Sequence, residues 1–135
     1  MKTDELEFWV KIIRSCVRIG KKFLELLEKY KNKASKDEIM NQLFNHIMER
    51  EDNFTAFVFG ILTAETCNLQ QLLEEAESCE CKVTLPYPTT FTQAVLHDFF
   101  KALLMLKEGK SEKEIIEDFV RSWKEGKIEK FKTYI

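Results

Sequence analysis

"NFTAFVFGILTAETC", residues 53–67, is the stretch on which the fold turns. It is nearly all apolar and rich in Phe, Val and Ile, a propensity that would allow a strand. A strand needs a partner, and no partner strand is evident elsewhere in the chain. A buried helix is therefore expected from about Asn53, continuing through "LQQLLEEAES", with a strand over residues 54–62 as the competing assignment.

The segments around it all carry helical signals. Leu6, Trp9, Ile13, Cys16, Gly20, Phe23, Leu27 and Tyr30 alternate at spacings of three and four, which places them on one helical stripe. Val10, Val17 and Leu24 widen the stripe on one side and Ile12, Ile19 and Leu26 on the other, so more than half of the circumference is apolar. A two-stranded coiled coil needs only a narrow seam. This helix is expected to lie between several neighbours, or between the domain and a second copy of itself. Thr3 suits its N-cap, with Asp4 and Glu5 at the positive end of the helix dipole.

The capping-box pattern recurs at Ser35 with Glu38, Thr90 with Gln93 and Ser111 with Glu114. These open helices that end near Arg50, at Gly109 and at Gly126, the two glycines standing where a left-handed C-cap is wanted. Pro86 and Pro88 hold "CKVTLPYPTTF" extended. The expected architecture is an all-α, single-domain bundle of five to six helices over residues 1–135, with a proline-containing extended loop near residues 81–90.

With 44% hydrophobic and 33% charged residues, four Gly and two Pro, the composition is that of a globular protein and not of a disordered or membrane one. Apolar runs stop well short of the ~18 residues a spanning helix needs, and "MKTDELEFW" is acidic where a signal peptide is basic. A cytoplasmic location with no membrane partner is the expectation. Abundant Lys and Glu would suit a thermophile, although helix-rich proteins share that bias. The net charge of -2 conceals an uneven distribution: residues 1–36 carry ten basic and five acidic side chains, residues 49–81 one basic and eight acidic.

Four cysteines invite a metal or redox reading, which needs ligands at workable spacing. Cys79 and Cys81 are one residue closer than a zinc knuckle allows, and no second pair exists. Cys16 lies on the apolar stripe and reads as a packed thiol. Unbonded thiols are expected, with a disulfide from Cys67 to Cys79 or Cys81 as the alternative; no metal and no cofactor are assigned. Neither His46 nor His97 has a Glu three residues before it, which excludes paired-helix carboxylate metal sites. His97 beside Asp98 and His46 near Glu49 are parts of a possible catalytic array, but adjacent helical side chains point apart. The glycines are isolated, with no phosphate loop. No catalytic residue is assigned, and an enzyme is the less favoured class.

Lys11, Arg14, Arg18, Lys21 and Lys22 gather opposite the apolar stripe over about 17 Å of helix, where they could follow a phosphate backbone or an acidic protein surface. Glu25 and Glu28 neutralise one end of this strip. "LKEGKSEKEIIEDFV" resembles in outline the opening of a helix-turn-helix unit, yet its helical pattern runs on to Gly126 and leaves no recognition helix. The function expected is a non-enzymatic protein–protein interaction module, self-associating as a dimer or serving as a small subunit of a larger assembly. Its interface residues would be Ile12, Ile19, Leu26, Phe131 and Tyr134. The alternatives are a nucleic-acid-associated protein using the basic strip, and a metal or redox protein using the cysteines.

Overall fold

A computed structural model describes residues 3–65 and 91–124, which form five helices and, among the described residues, no strand. They are α1 (Thr3–Lys29), α2 (Lys36–Arg50), α3 (Asn53–Glu65), α4 (Phe91–Lys107) and α5 (Glu112–Lys124). The protein is an all-α bundle, as the periodicity predicts. Residues 54–62 are helical, and their buried members explain why: Thr55, Val58, Phe59 and Leu62 repeat at the i, i+3, i+4, i+7 spacing of one helical face.

The long first helix is the centre of the bundle. α1 touches each of the other four, α4 most extensively, and those four also touch one another in chain order, α2 to α3, α3 to α4 and α4 to α5. An arc of helices thus wraps α1 and leaves a narrow exposed strip that runs from Glu7 through Lys11, Arg14, Arg18, Lys21 and Glu25 to Glu28 and Lys29. This arrangement uses the whole width of the apolar stripe. Ile12, Ile19 and Leu26, expected as surplus surface for a second copy, are 0%, 0% and 3% exposed. They belong to the core, because four neighbours rather than one cover α1.

Gly20 sits where α1 crosses α4: a Cβ there would meet Leu106 Cδ1 at 3.0 Å and Leu103 Cδ1 at 3.4 Å, so the missing side chain lets the two helices approach. At one end Phe8, Trp9, Phe54 and Phe91 stack and tilt against one another with centroids 5.7 to 6.2 Å apart, tying α1, α3 and α4 together.

Local chemistry sets the boundaries. Ser35 Oγ accepts from the Glu38 amide at 3.2 Å and opens α2. The box before α5 is complete: Glu114 N donates to Ser111 Oγ at 3.1 Å and Ser111 N donates to Glu114 Oε1 at 3.2 Å. α3 is capped by Asp52, whose Oδ1 accepts from Thr55 N at 2.7 Å. α4 ends in a Schellman turn, with Gly109 N donating to Leu106 O, Lys110 N to Met105 O, and Gly109 at φ +89°. α1 begins at Thr3 itself, so Thr3 lies within the helix and not ahead of it as a cap. The expectations at Cys67, Cys79, Cys81, Thr90, Gly126, Phe131, Tyr134 and the proline segment near 81–90 lie outside the described residues.

Candidate functional site

Two surfaces stand out, and the first is the outer side of the α2–α3 hairpin. Residues 39–48 and 53–64 contain no Asp, Glu, Lys or Arg, in a chain that is 33% charged. α3 turns only Thr55, Val58, Phe59 and Leu62 inward, leaving Phe57, Gly60 and Ala64 exposed on the opposite side. The expectation of a buried helix is thus half met: α3 is apolar all round but covered on one side. A helix of that composition is ordinarily covered on every side. Phe57 is 52% exposed, and across the hairpin Phe44 and Met48 of α2 are 44% and 47% exposed. Phe44 leans on Phe59 at 6.4 Å between centroids, and Phe57 on Phe54 at 6.2 Å, which carries the exposed rings into the core. Reading the sequence for burial alone missed these residues. The missing charges on α3 were the signal for them.

The second surface is the basic strip of α1. All five cations named from the sequence share one side of the helix, but they are not equally available. Lys22 Nζ donates to Glu25 Oε1 at 3.1 Å. Arg18 Nη1 lies 3.5 Å from Glu51 Oε2 and 3.8 Å from Asp52 Oδ2, spanning from α1 to the α2–α3 corner. Lys11 Nζ sits 4.6 Å over the Phe54 ring. Arg14 and Lys21 are exposed and make no ion pair among the described residues.

Beside Arg14 a cleft of about 140 Å³ opens between α1 and the start of α3, lined by Lys11, Arg14, Ser15, Arg18, Asp52, Phe54 and Thr55. Ser15 Oγ and Thr55 Oγ1, both buried, share a hydrogen bond of 3.0 Å in its wall. The Thr55 amide and hydroxyl, by donating to Asp52, hold that carboxyl below its ordinary range, and Arg18 and Lys11 add to the effect.

Of the groups weighed for catalysis, His46 and His97 are half-buried. His46 Nε2 lies 3.9 Å from Glu51 Oε1, and Glu51 rather than Glu49 is its nearest charged neighbour across the corner. His97 Nδ1 lies 4.0 Å from Asp98 Oδ1, so this adjacent pair leans together and does not point apart. Asp98 is 2% exposed, with Oδ2 buried and without a hydrogen-bond partner among the described residues. Burial raises its carboxyl pKa, against the pull of His97 and Lys101. Burial also pushes the Cys16 thiol well up, and Asp98 adds to the rise, so the reactive thiolate is disfavoured. Cys16 is free and buried, as its stripe position predicts. Among the described residues no three His, Cys, Asp or Glu side chains converge as metal ligands, and no helix there is long and apolar enough to cross a membrane.

Compared with known protein families, curated proteins and solved structures, the chain matches none.

Proposed function

We propose that the protein works by contact, as a self-associating helical module whose interface is the outer side of α2 and α3. The observation that carries this is α3, a helix apolar on all sides and covered on one. The surface around it supports a second copy in particular. A two-fold interface sets a patch against its own image, so a charged patch repels itself while an uncharged one does not. Phe44, Met48 and Phe57 together expose on the order of 300 Å² of apolar surface, within the range of functional patches. A stable interface needs roughly 800 Å² per partner. The exposed, uncharged Asn41, Gln42 and Asn45 of α2 supply a polar rim of the kind such interfaces carry.

Sedimentation across a concentration series tests this. The wild type is expected to dimerise in the micromolar range, and Phe57→Glu to yield a monomer of unchanged helicity. A wild type that remains monomeric at several hundred micromolar would rule out self-association and leave the role of subunit in a larger assembly. Against the nucleic-acid alternative stand the contacts that already engage Lys11, Arg18 and Lys22. For the metal or redox alternative, three of the four cysteines lie outside the described residues, and the fourth is a buried thiol.

A further inference from the structure

We propose that two copies of the chain join with α3 against α3 in antiparallel directions, the helices crossing at Gly60 and the Phe57 ring of each lying over the partner's Ala64. This pairing rests on the self-association proposed through α2 and α3, and adds the helix, the direction and the register of that contact. The chain itself gives Gly60 no reason to be glycine. After proline, glycine is the poorest helix former, so a glycine inside a helix needs a use. Gly20 has one in α1, where Leu106 and Leu103 come to 3.0 and 3.4 Å from the place its Cβ would take. Gly60, in the middle of α3, is exposed and has nothing within 4 Å of that place among the described residues. Its backbone is ordinary helix, with no positive φ to exclude a side chain. The use that remains for a glycine here is close approach by another backbone.

Its neighbours on the outer side of α3 set the direction. Phe57, Gly60 and Ala64 are all exposed and follow one another at spacings of three and four, which makes them one row along the helix. A large ring is followed by a bare position and then by a methyl group, so a projection and a notch lie side by side. Gly60 lies almost midway between the other two. Turning the row end for end about Gly60 brings Phe57 onto the partner's Ala64 and Ala64 onto the partner's Phe57, with the glycines facing each other at the crossing. A two-fold interface has this property, that residue i meets j while j meets i. Parallel helices crossing at the same point would set ring against ring and hold the backbones apart. Packed helices lie about 8–10 Å apart according to the side chains between them, and two facing glycines permit the short end of that range.

The rest of the face suits a second copy. Residues 53–64 carry no Asp, Glu, Lys or Arg, so reversal brings no like charges together. The Phe57 ring already leans on Phe54 at 6.2 Å between centroids, which holds it in place in the free chain and lowers the entropy lost on docking. Phe44 and Met48, exposed on the adjoining α2, enlarge the apolar contact beyond α3. A different apolar partner would make use of Phe57, but would give no reason for a bare position and a small one next along the row.

Sedimentation of the full chain across a concentration series, with circular dichroism to follow helicity, tests the pairing at exposed positions. Gly60→Leu replaces a poor helix former with a good one, so adding it to the Phe57→Glu monomer should raise the melting temperature. In the otherwise unchanged chain it should weaken dimerisation about tenfold or more, as overpacking a close contact does. A glycine with a purely structural role would not combine a firmer fold with weaker association. The direction is read from charge. Phe57→Glu together with Ala64→Lys sets opposite charges against each other in the antiparallel register and like charges in the parallel one. The double variant should regain at low salt the dimer that Phe57→Glu alone loses, and should lose it again at high salt.

A wild type that stays monomeric would overturn the self-association reading and this pairing with it. A dimer that Phe57→Glu breaks and Gly60→Leu leaves intact would keep the association but overturn the crossing of α3 on α3. Failure of the double variant to dimerise at low salt would overturn the antiparallel register.

Discussion

Asp98 is a carboxyl inside a helical core, with one oxygen unpartnered among the described residues. Burial sets the direction of its shift: desolvation disfavours the charged form and raises the pKa, while His97 and Lys101 pull the other way. A group whose folded pKa is raised keeps a proton that the unfolded chain, titrating near about 3.9, has already released. Its contribution is complete below the unfolded value and is lost as the pH rises through the folded value. Denaturation measured from pH 4 upward should therefore show stability declining in the wild type relative to Asp98→Asn, which keeps the shape but cannot ionise. Parallel curves for the two proteins would show that the carboxyl is not held protonated. The burial itself was legible, since Val95, Asp98, Phe99 and Ala102 are all buried at the spacing of one face. What misled was the adjacent His97, which drew attention to a catalytic pair and away from that period.

At the scale of the element, the chain is legible wherever structure is set by near neighbours. Ser35 with Glu38 and Ser111 with Glu114 could be read as caps because a capping box involves only four consecutive residues. The same holds for Gly109, where the left-handed turn that closes α4 needs a residue without a Cβ. Two outcomes follow for chemical denaturation. Ser111→Ala should cost about 1 kcal/mol by removing the acceptor for the Glu114 amide, and Gly109→Ala about 1 kcal/mol by forcing a side chain into positive φ. Loss of the box should also raise the Glu114 carboxyl pKa, which bonds to the amide and hydroxyl of Ser111 now hold below its usual range. The exposure of α3 was not legible in the same way. Its apolar residues surround the helix, and which side stays open depends on where α1, α2 and α4 come to rest. The cleft was illegible for the same reason, since Ser15 and Thr55 are 40 residues apart in sequence and meet only through packing.

At the scale of the whole molecule, the breadth of the stripe on α1 was legible, but its consequence was open between two arrangements. Many neighbours within one chain, or few neighbours and a second copy, would use the same apolar width. The bundle takes the first course, since α1 touches all four other helices. Placing glutamate at Ile12 and Ile19 therefore attacks the core. Each change removes a fully buried aliphatic side chain and buries a carboxylate without a prepared partner, at a cost of at least about 3 kcal/mol. Against a total stability of roughly 5–15 kcal/mol for a domain, the double variant should be largely unfolded, with lost helicity and no cooperative melting. Phe57→Glu should behave differently, because that ring is half exposed and its loss should shift stability by no more than about 1 kcal/mol. Circular dichroism together with sedimentation distinguishes the two surfaces. If the Ile12 and Ile19 variant is a folded monomer while the wild type is a dimer, α1 is the interface and the central packing described for it is wrong. If that variant unfolds while Phe57→Glu stays folded and loses only self-association, α1 is the core and the interface lies on the outer side of α3.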